Sequence, residues 1–252
     1  ESRRFAQDDP RGFLRQHRGP VILDEVQRCP DLISYIQTDV DRDDTPGRFI
    51  LTGSQNFLLM ERISQSLAGR SAILHLLTLS RSELEGDTPP APDTPSKLFQ
   101  NRHTRLDCWE MVRTGLYPRI HDRKIPAEIW LSDYLRTYVE RDLRSLVNVG
   151  DLETFERFLA LCAGRTGQLL NFSSLASDSG IAVDTARRWI SILKTSFLVF
   201  LLRPHHRNFS KRIIRSPKLY FHDTGLACRL LGIETHEQLI HHPLRGALFE
   251  NF

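Results

Sequence analysis

No loop of the form G-x-x-x-x-G-K-[ST] occurs anywhere in the 252 residues. That absence excludes a complete P-loop nucleotide site within this chain. The four cysteines, Cys29, Cys108, Cys162 and Cys228, are scattered with no C-x-x-C pair. Their spacing excludes a zinc ribbon or a disulfide framework and fits a reducing cytoplasm. Each reads as a small buried hydrophobe. No apolar run approaches the length of a membrane span, and the N-terminus ESRRFAQDDPRGF is unlike a signal peptide. A cytoplasmic chain with no membrane partner is expected. GSQ lacks the G-x-S-x-G frame of a serine hydrolase. The pairs His205-His206 and His241-His242 point their adjacent rings in different directions, so no structural metal is expected. Methionine is limited to the internal Met60 and Met111, and the text stops mid-pattern at LRGALFENF. A fragment of a longer protein is the expectation.

A second absence is local. From Thr185 to His222 there is no Asp or Glu, while nine basic residues run from Arg187 to Lys218. The whole chain carries +3, so these nine leave −6 for the remainder. Such a block is the footprint of a polyanionic partner.

What is present begins with PVILDEVQ at 20–27. Val21-Ile22-Leu23 is a short apolar run, as in a parallel strand buried on both faces. Pro30-Asp31 suits a helix start, with Leu32, Ile33, Ile36 and Val40 as its apolar stripe. Phe49-Ile50-Leu51 predicts a second strand, ending in Thr52-Gly53-Ser54. A polar helical stretch follows around 57–67, and Ile73–Leu79 predicts a third strand. That alternation is an α/β pattern. GDTPPAPDTPS at 86–96 reads as a linker. Residues 107–149 are predicted mainly helical. Over 150–225, three short helices and a two-stranded hairpin form a winged-helix pattern. The fold class is thus α/β: a partial parallel sheet, then a helical region, then a winged helix.

Asp24-Glu25 ends a strand, where an unpaired charge is costly to bury. In a nucleotide hydrolase, such an Asp holds Mg²⁺ through water and the next Glu polarises the attacking water. A neighbouring strand then ends in a small polar group that senses phosphate, here Thr52 or Ser54. A later arginine, here Arg70, stabilises the charge that builds on the phosphoryl group, in cis or across a subunit. Each residue also has a plainer reading: helix cap, ordinary strand end, surface ion pair. Only their combination and order favours the hydrolase.

VILDEVQRCPDL, FILTGSQNFLLM and SLAGRSAILHLLTLSRSEL resemble the Walker B, sensor and following strand of a family of bacterial and archaeal AAA-superfamily ATPases. In that family a C-terminal domain of unknown function follows the ATPase core. TGLYPR, YLRTYVERDL, ARRWISILKTSFLVFLL, KLYFHDTGL and RGALFENF resemble that C-terminal part. The resemblance implies ATP and Mg²⁺ as cofactors and a P-loop upstream of this chain, with 1–85 a partial ATPase core and 86–106 a linker. It also implies that 226–252 opens a restriction-endonuclease-like domain, with Glu250 as its first acidic residue. Asp223 matches a family position, but a helix cap is its expected role.

SSLASDSGIAVDTARRWISILKTS has helix-turn-helix proportions. Val183, Ala186, Ile190 and Leu193 form the core face of the longer helix, with Trp189 also in the core. Arg187, Arg188 and Lys194 remain for phosphates or base edges. Lys211, Arg212 and Arg215 fall near the tip of the wing and would contact phosphate backbone. Two functional readings stand: an ATPase coupling turnover to a DNA- or protein-binding region, or a non-enzymatic winged-helix DNA-binding or adaptor protein with a degenerate ATPase core.

Overall fold

The computed structural model describes residues 1–53, 66–86, 106–137, 152–205 and 216–252. Ser54, most of the 57–67 stretch, the linker beyond Gly86, and the wing-tip residues Lys211, Arg212 and Arg215 lie outside the described residues. The chain divides into two compact units, Glu1–His75 and Leu76–Phe252.

In the first unit, helices α1 (Ser2–Asp8) and α2 (Pro10–Gln16) precede strand β1 (Val21–Leu23). A single 3₁₀ turn, Val26–Arg28, leads into α3 (Leu32–Arg42). The chain then returns as β2 (Phe49–Leu51), which pairs parallel with β1 in the register Val21↔Phe49, Ile22↔Ile50, Leu23↔Leu51. This is a βαβ crossover, the only short way to make neighbouring strands parallel. Helix α3 buries Leu32, Ile33 and Ile36 against Leu23, Val26, Phe13, Leu14 and Leu67, with Val40 half-buried beside them.

Two expectations for this unit need correction. The strands are buried on one face only, since Ile22 and Ile50 are 66% and 54% exposed. Strand side chains alternate between faces, and among the described residues only the face toward α3 is covered. Among the described residues, 73–79 form no strand, and Leu74 and Leu76 are 91% and 100% exposed. Apolar alternation does not make a strand without a ladder partner, and the described residues supply none.

The second unit begins with the short helix α4 (Arg81–Leu84), closed by a Ser80/Glu83 capping box. Helices α5 (Cys108–Thr114), α6 (Pro118–Arg123) and α7 (Ala127–Thr137) follow. Then come α8 (Leu152–Ala163), α9 (Phe172–Ser179) and α10 (Val183–Thr195). Strands β3 (Val199–Leu202) and β4 (Lys218–Phe221) form the antiparallel pair predicted from sequence. The described chain ends in α11 (Thr224–Leu230), α12 (His236–His241) and α13 (Arg245–Asn251). Trp189 lies in the core as expected, edge-on to Phe155 and Phe158 at 4.9 and 5.1 Å.

The segments expected to be separate share one core. Val112 and Leu131, Phe158 and Leu193, and Leu226 and Leu248 all belong to a single buried cluster. Residues 226–252 therefore pack as part of this unit. A further pairing was not predicted. Gly167 N–H donates to Leu219 O at 2.8 Å, Leu219 N–H donates to Gln168 O at 3.1 Å, and Leu170 N–H donates to Pro217 O at 2.8 Å. Residues 167–170, between α8 and α9, thus line the edge of β4 opposite β3. Among the described residues, no helix is long and apolar enough to cross a membrane.

Candidate functional site

Each parallel strand of the first unit ends in a polar residue on the same side. Asp24 follows β1 and Thr52 follows β2. The ladder continues past both strands, with Thr52 N–H donating to Leu23 O at 3.0 Å and Val26 N–H to Thr52 O at 3.1 Å. This fixes Thr52 against Asp24, and the Thr52 hydroxyl donates to the Asp24 carboxylate. Asp24 is solvent-exposed, so its carboxylate can be reached at the carboxyl end of parallel strands, where open α/β sheets bind ligands.

Glu25 takes a left-handed backbone conformation, φ 54° and ψ 40°. A residue with a side chain rarely sits there, and such strain collects at functional positions. Its carboxylate accepts from Gln27 Nε2 at 2.9 Å and lies 3.3 Å from Arg28 Nε. The plainer reading of the acid pair as a helix cap finds no side-chain bond here, although Glu25 stands at the N-cap of the 3₁₀ turn. Neither Asp24 nor Glu25 caps α3, whose N-cap is Asp31 without a side-chain bond.

Arg70 is not brought to the pair. Its Nε donates to Asp41 Oδ1 at 2.5 Å and its Nη1 to Ala68 O at 3.3 Å. Asp41 lies in the last turn of α3, roughly 15 Å of helix from the end next to Asp24. Arg48, just ahead of β2, reaches the same end of α3 through Asp39 at 2.8 Å. A crossover helix runs antiparallel to its strands, so Arg70 sits by the amino ends of the strands and Asp24 by their carboxyl ends. An action of Arg70 on the Asp24 site within one chain is not supported by this geometry.

The exposed carboxylate with its hydroxyl neighbour suits the acid side of a magnesium-nucleotide site. The donors that would grip the phosphates are not in this sequence. Among the described residues no group of three His, Cys, Asp or Glu side chains is arranged to hold a metal ion.

In the second unit, α10 turns Ala186, Trp189, Ile190 and Leu193 inward. Arg187, Arg188, Ser191 and Lys194 are exposed along its outer face. Asp184 in its first turn and Lys194 in its last complement the helix dipole. The Arg187 guanidinium lies over the Phe172 ring, 4.6 Å from its centroid.

Two further arrangements were invisible in the sequence. Asp223 caps α11 as expected, accepting from Leu226 N–H at 3.0 Å, but it also accepts from Leu116 N–H at 2.7 Å. It thereby ties TGLYPR to FHDTGL. Burial pushes its carboxyl up to about 6, against the pull of these backbone N–H groups and of His121. The second arrangement involves Glu250, which is engaged by Lys218 Nζ at 2.6 Å and by the Tyr220 hydroxyl. Hydrogen bonds from these two hold its carboxyl below the usual range. The neighbouring Asn251 accepts from Phe221 N–H at 2.8 Å and donates to Phe221 O at 2.7 Å, as an adjacent strand would. Glu250 and Asn251 therefore fasten α13 to β4. Of the cysteines, Cys162 and Cys228 are buried as expected, whereas Cys29 and Cys108 are half-buried.

Residues 1–85 match the family model of an AAA domain, and residues 105–237 match that of a domain of unknown function (DUF8612). Among curated proteins the chain is 35% identical to an uncharacterized protein of Mycobacterium bovis and to one of Mycobacterium tuberculosis. Each similarity extends over 245 residues, 97% of this chain and 52% of the relative. The chain thus spans about half the length of the curated relatives it matches. No solved structure matches it.

Proposed function

The chain belongs to the family of the domain of unknown function (DUF8612), here preceded by an AAA domain, and from that premise we propose that it carries the acidic half of an ATP-hydrolysing site coupled to a nucleic-acid-binding winged helix. The observation that carries the first part is the meeting of Asp24 and Thr52 at the ends of adjacent parallel strands, with Glu25 held next to them in a left-handed turn. Asp24 would hold Mg²⁺ through water, with Thr52 and Ser54 beside the phosphates. Magnesium, when bound, neutralises phosphate charge and orients the nucleotide. Glu25 would orient the attacking water and accept its proton, which requires its carboxylate to leave Gln27 and Arg28. Arg70 acts, in this reading, only across a subunit boundary.

The second part rests on the order α8, strand-like 167–170, α9, α10, β3, β4, with β4 between the other two. That order and pairing supports the winged-helix reading. The outer face of α10 then offers Arg187, Arg188 and Lys194 to phosphates. A protein target for this face remains the competing partner.

Glu25→Gln in the longer protein tests the hydrolase. ATP binding should persist while turnover falls at least a hundredfold, as expected when a water-activating group is lost. Undiminished turnover would refute the role of Glu25. A second reading, a binding module with a degenerate ATPase core, is favoured by the engagement of Arg70 away from Asp24. It predicts that the unmutated longer protein has no turnover to lose.

A further inference from the structure

We propose that Phe172 is a positioning residue for duplex DNA: it holds the Arg187 guanidinium ready at the outer face of α10. The proposal rests on the nucleic-acid reading above and extends it to a partner and a residue that is not itself basic.

On the outer face of α10 three exposed cations stand together without acids, unlike the paired arginines of the neighbouring helices. Elsewhere Arg113, Arg136, Arg165 and Arg229 pair with Glu110, Asp133, Asp178 and Glu234. Among the described residues, Arg187, Arg188 and Lys194 have no acidic partner, although all three are exposed. A stripe of uncompensated cations on one rigid helix is suited to an anionic surface.

Within that stripe, a ring contact among the described residues holds Arg187. Phe172 opens α9 and packs half-buried against the core, so its ring is fixed. The planar guanidinium of Arg187 lies on that ring at 4.6 Å. Stacking of this kind is available to arginine and poorly to lysine. An exposed arginine otherwise loses its rotamer freedom only on binding, which weakens association. Fixing it beforehand removes that cost and fixes where its outward N–H groups point.

The shape of the helix selects the class of nucleic acid. A helix is about 10–12 Å across with side chains, and the B-DNA major groove is about 12 Å wide. The 13 residues of α10 span about 20 Å, enough to cross one groove. The deep, narrow major groove of A-form RNA does not admit a helix.

The test is fluorescence anisotropy of labelled duplex DNA, with duplex RNA of the same sequence for comparison, across a salt series. It uses the full 252-residue chain and the variants Phe172→Leu, Arg187→Lys and Arg187→Ala. Phe172→Leu keeps the apolar contact and the charge. Its affinity should fall about two- to tenfold, the range for ordering one long side chain on binding. Its salt slope should stay at the wild-type value, because no phosphate contact is lost. Arg187→Lys should behave alike, and adding it to Phe172→Leu should cost little more. Arg187→Ala should lower the salt slope by about one. If Phe172→Leu melts well below the wild type, Arg187→Lys carries the same test with the ring in place. If Arg187→Ala weakens binding while Phe172→Leu and Arg187→Lys do not, the positioning role is overturned and the nucleic-acid reading survives. Duplex RNA bound as tightly as DNA overturns the assignment to DNA. Absence of salt-dependent binding by the wild type overturns both this inference and the reading beneath it.

Discussion

Replacing Gly225 by alanine puts the packing of the second unit to a direct test. Gly225 lies in the first turn of α11, where alanine would ordinarily favour the helix by up to about 1 kcal/mol. Its surroundings reverse the sign. An added Cβ would lie 2.5 Å from Gly115 N and 2.6 Å from both the Thr114 carbonyl carbon and oxygen. All three are backbone atoms, so no rotamer change relieves the overlap. Helices α5 and α11 would have to part by about 1 Å in a core packed at crystal-like density. Overpacking of this kind costs about 1–3 kcal/mol or more, and backbone-to-backbone overlap belongs at the top of that range. Parting the helices would also lengthen the bond from Leu116 N–H to Asp223, 2.7 Å in the native chain. A net loss of about 2–3 kcal/mol is expected. For a unit of this size that lowers Tm by about 4–12 °C. Thermal unfolding followed by circular dichroism reads the shift. Gly246→Ala is the control, because it lies in a helix with nothing within 4 Å of its Cβ position and should match or exceed the wild type. A Gly225→Ala chain that melts at or above the wild type would refute the close approach of the two TGL segments.

Two other outcomes follow from the same unit. Asn251→Ala removes both bonds to the Phe221 backbone and the acceptor of the Thr166 hydroxyl. It should cost about 2–4 kcal/mol, with faster hydrogen exchange at Phe221 N–H, and unchanged exchange there would count against it. Asp223 has a folded-state value near 6, above its ordinary 3.8, so its protonated form stabilises the fold. That contribution is complete below about 3.8 and is lost as pH rises through about 6. The stability of the wild type relative to Asp223→Asn should therefore fall by about 2 kcal/mol between pH 4 and pH 7, as measured in urea. Parallel pH profiles would show that burial does not govern this carboxyl.

Much of this protein is written in its sequence, where the determinants are local. The apolar runs at Val21–Leu23 and Phe49–Leu51, the stripe on α3, and the inward face of α10 each follow from short-range periodicity. So does the adjacency of Asp24 and Glu25 at a strand end. Tertiary structure decided whatever depends on residues far apart in the chain. It set the Thr52 hydroxyl on Asp24 and carried Arg70 to the opposite end of α3, because strand pairing and crossover direction fix ends that spacing cannot. Among the described residues it left 73–79 without a ladder, since a strand exists only beside another. It drew 226–252 into the core of the second unit through Asn251 and Leu248. It also set the Phe172 ring beneath the Arg187 guanidinium. That contact joins two helices whose relative placement no local pattern encodes.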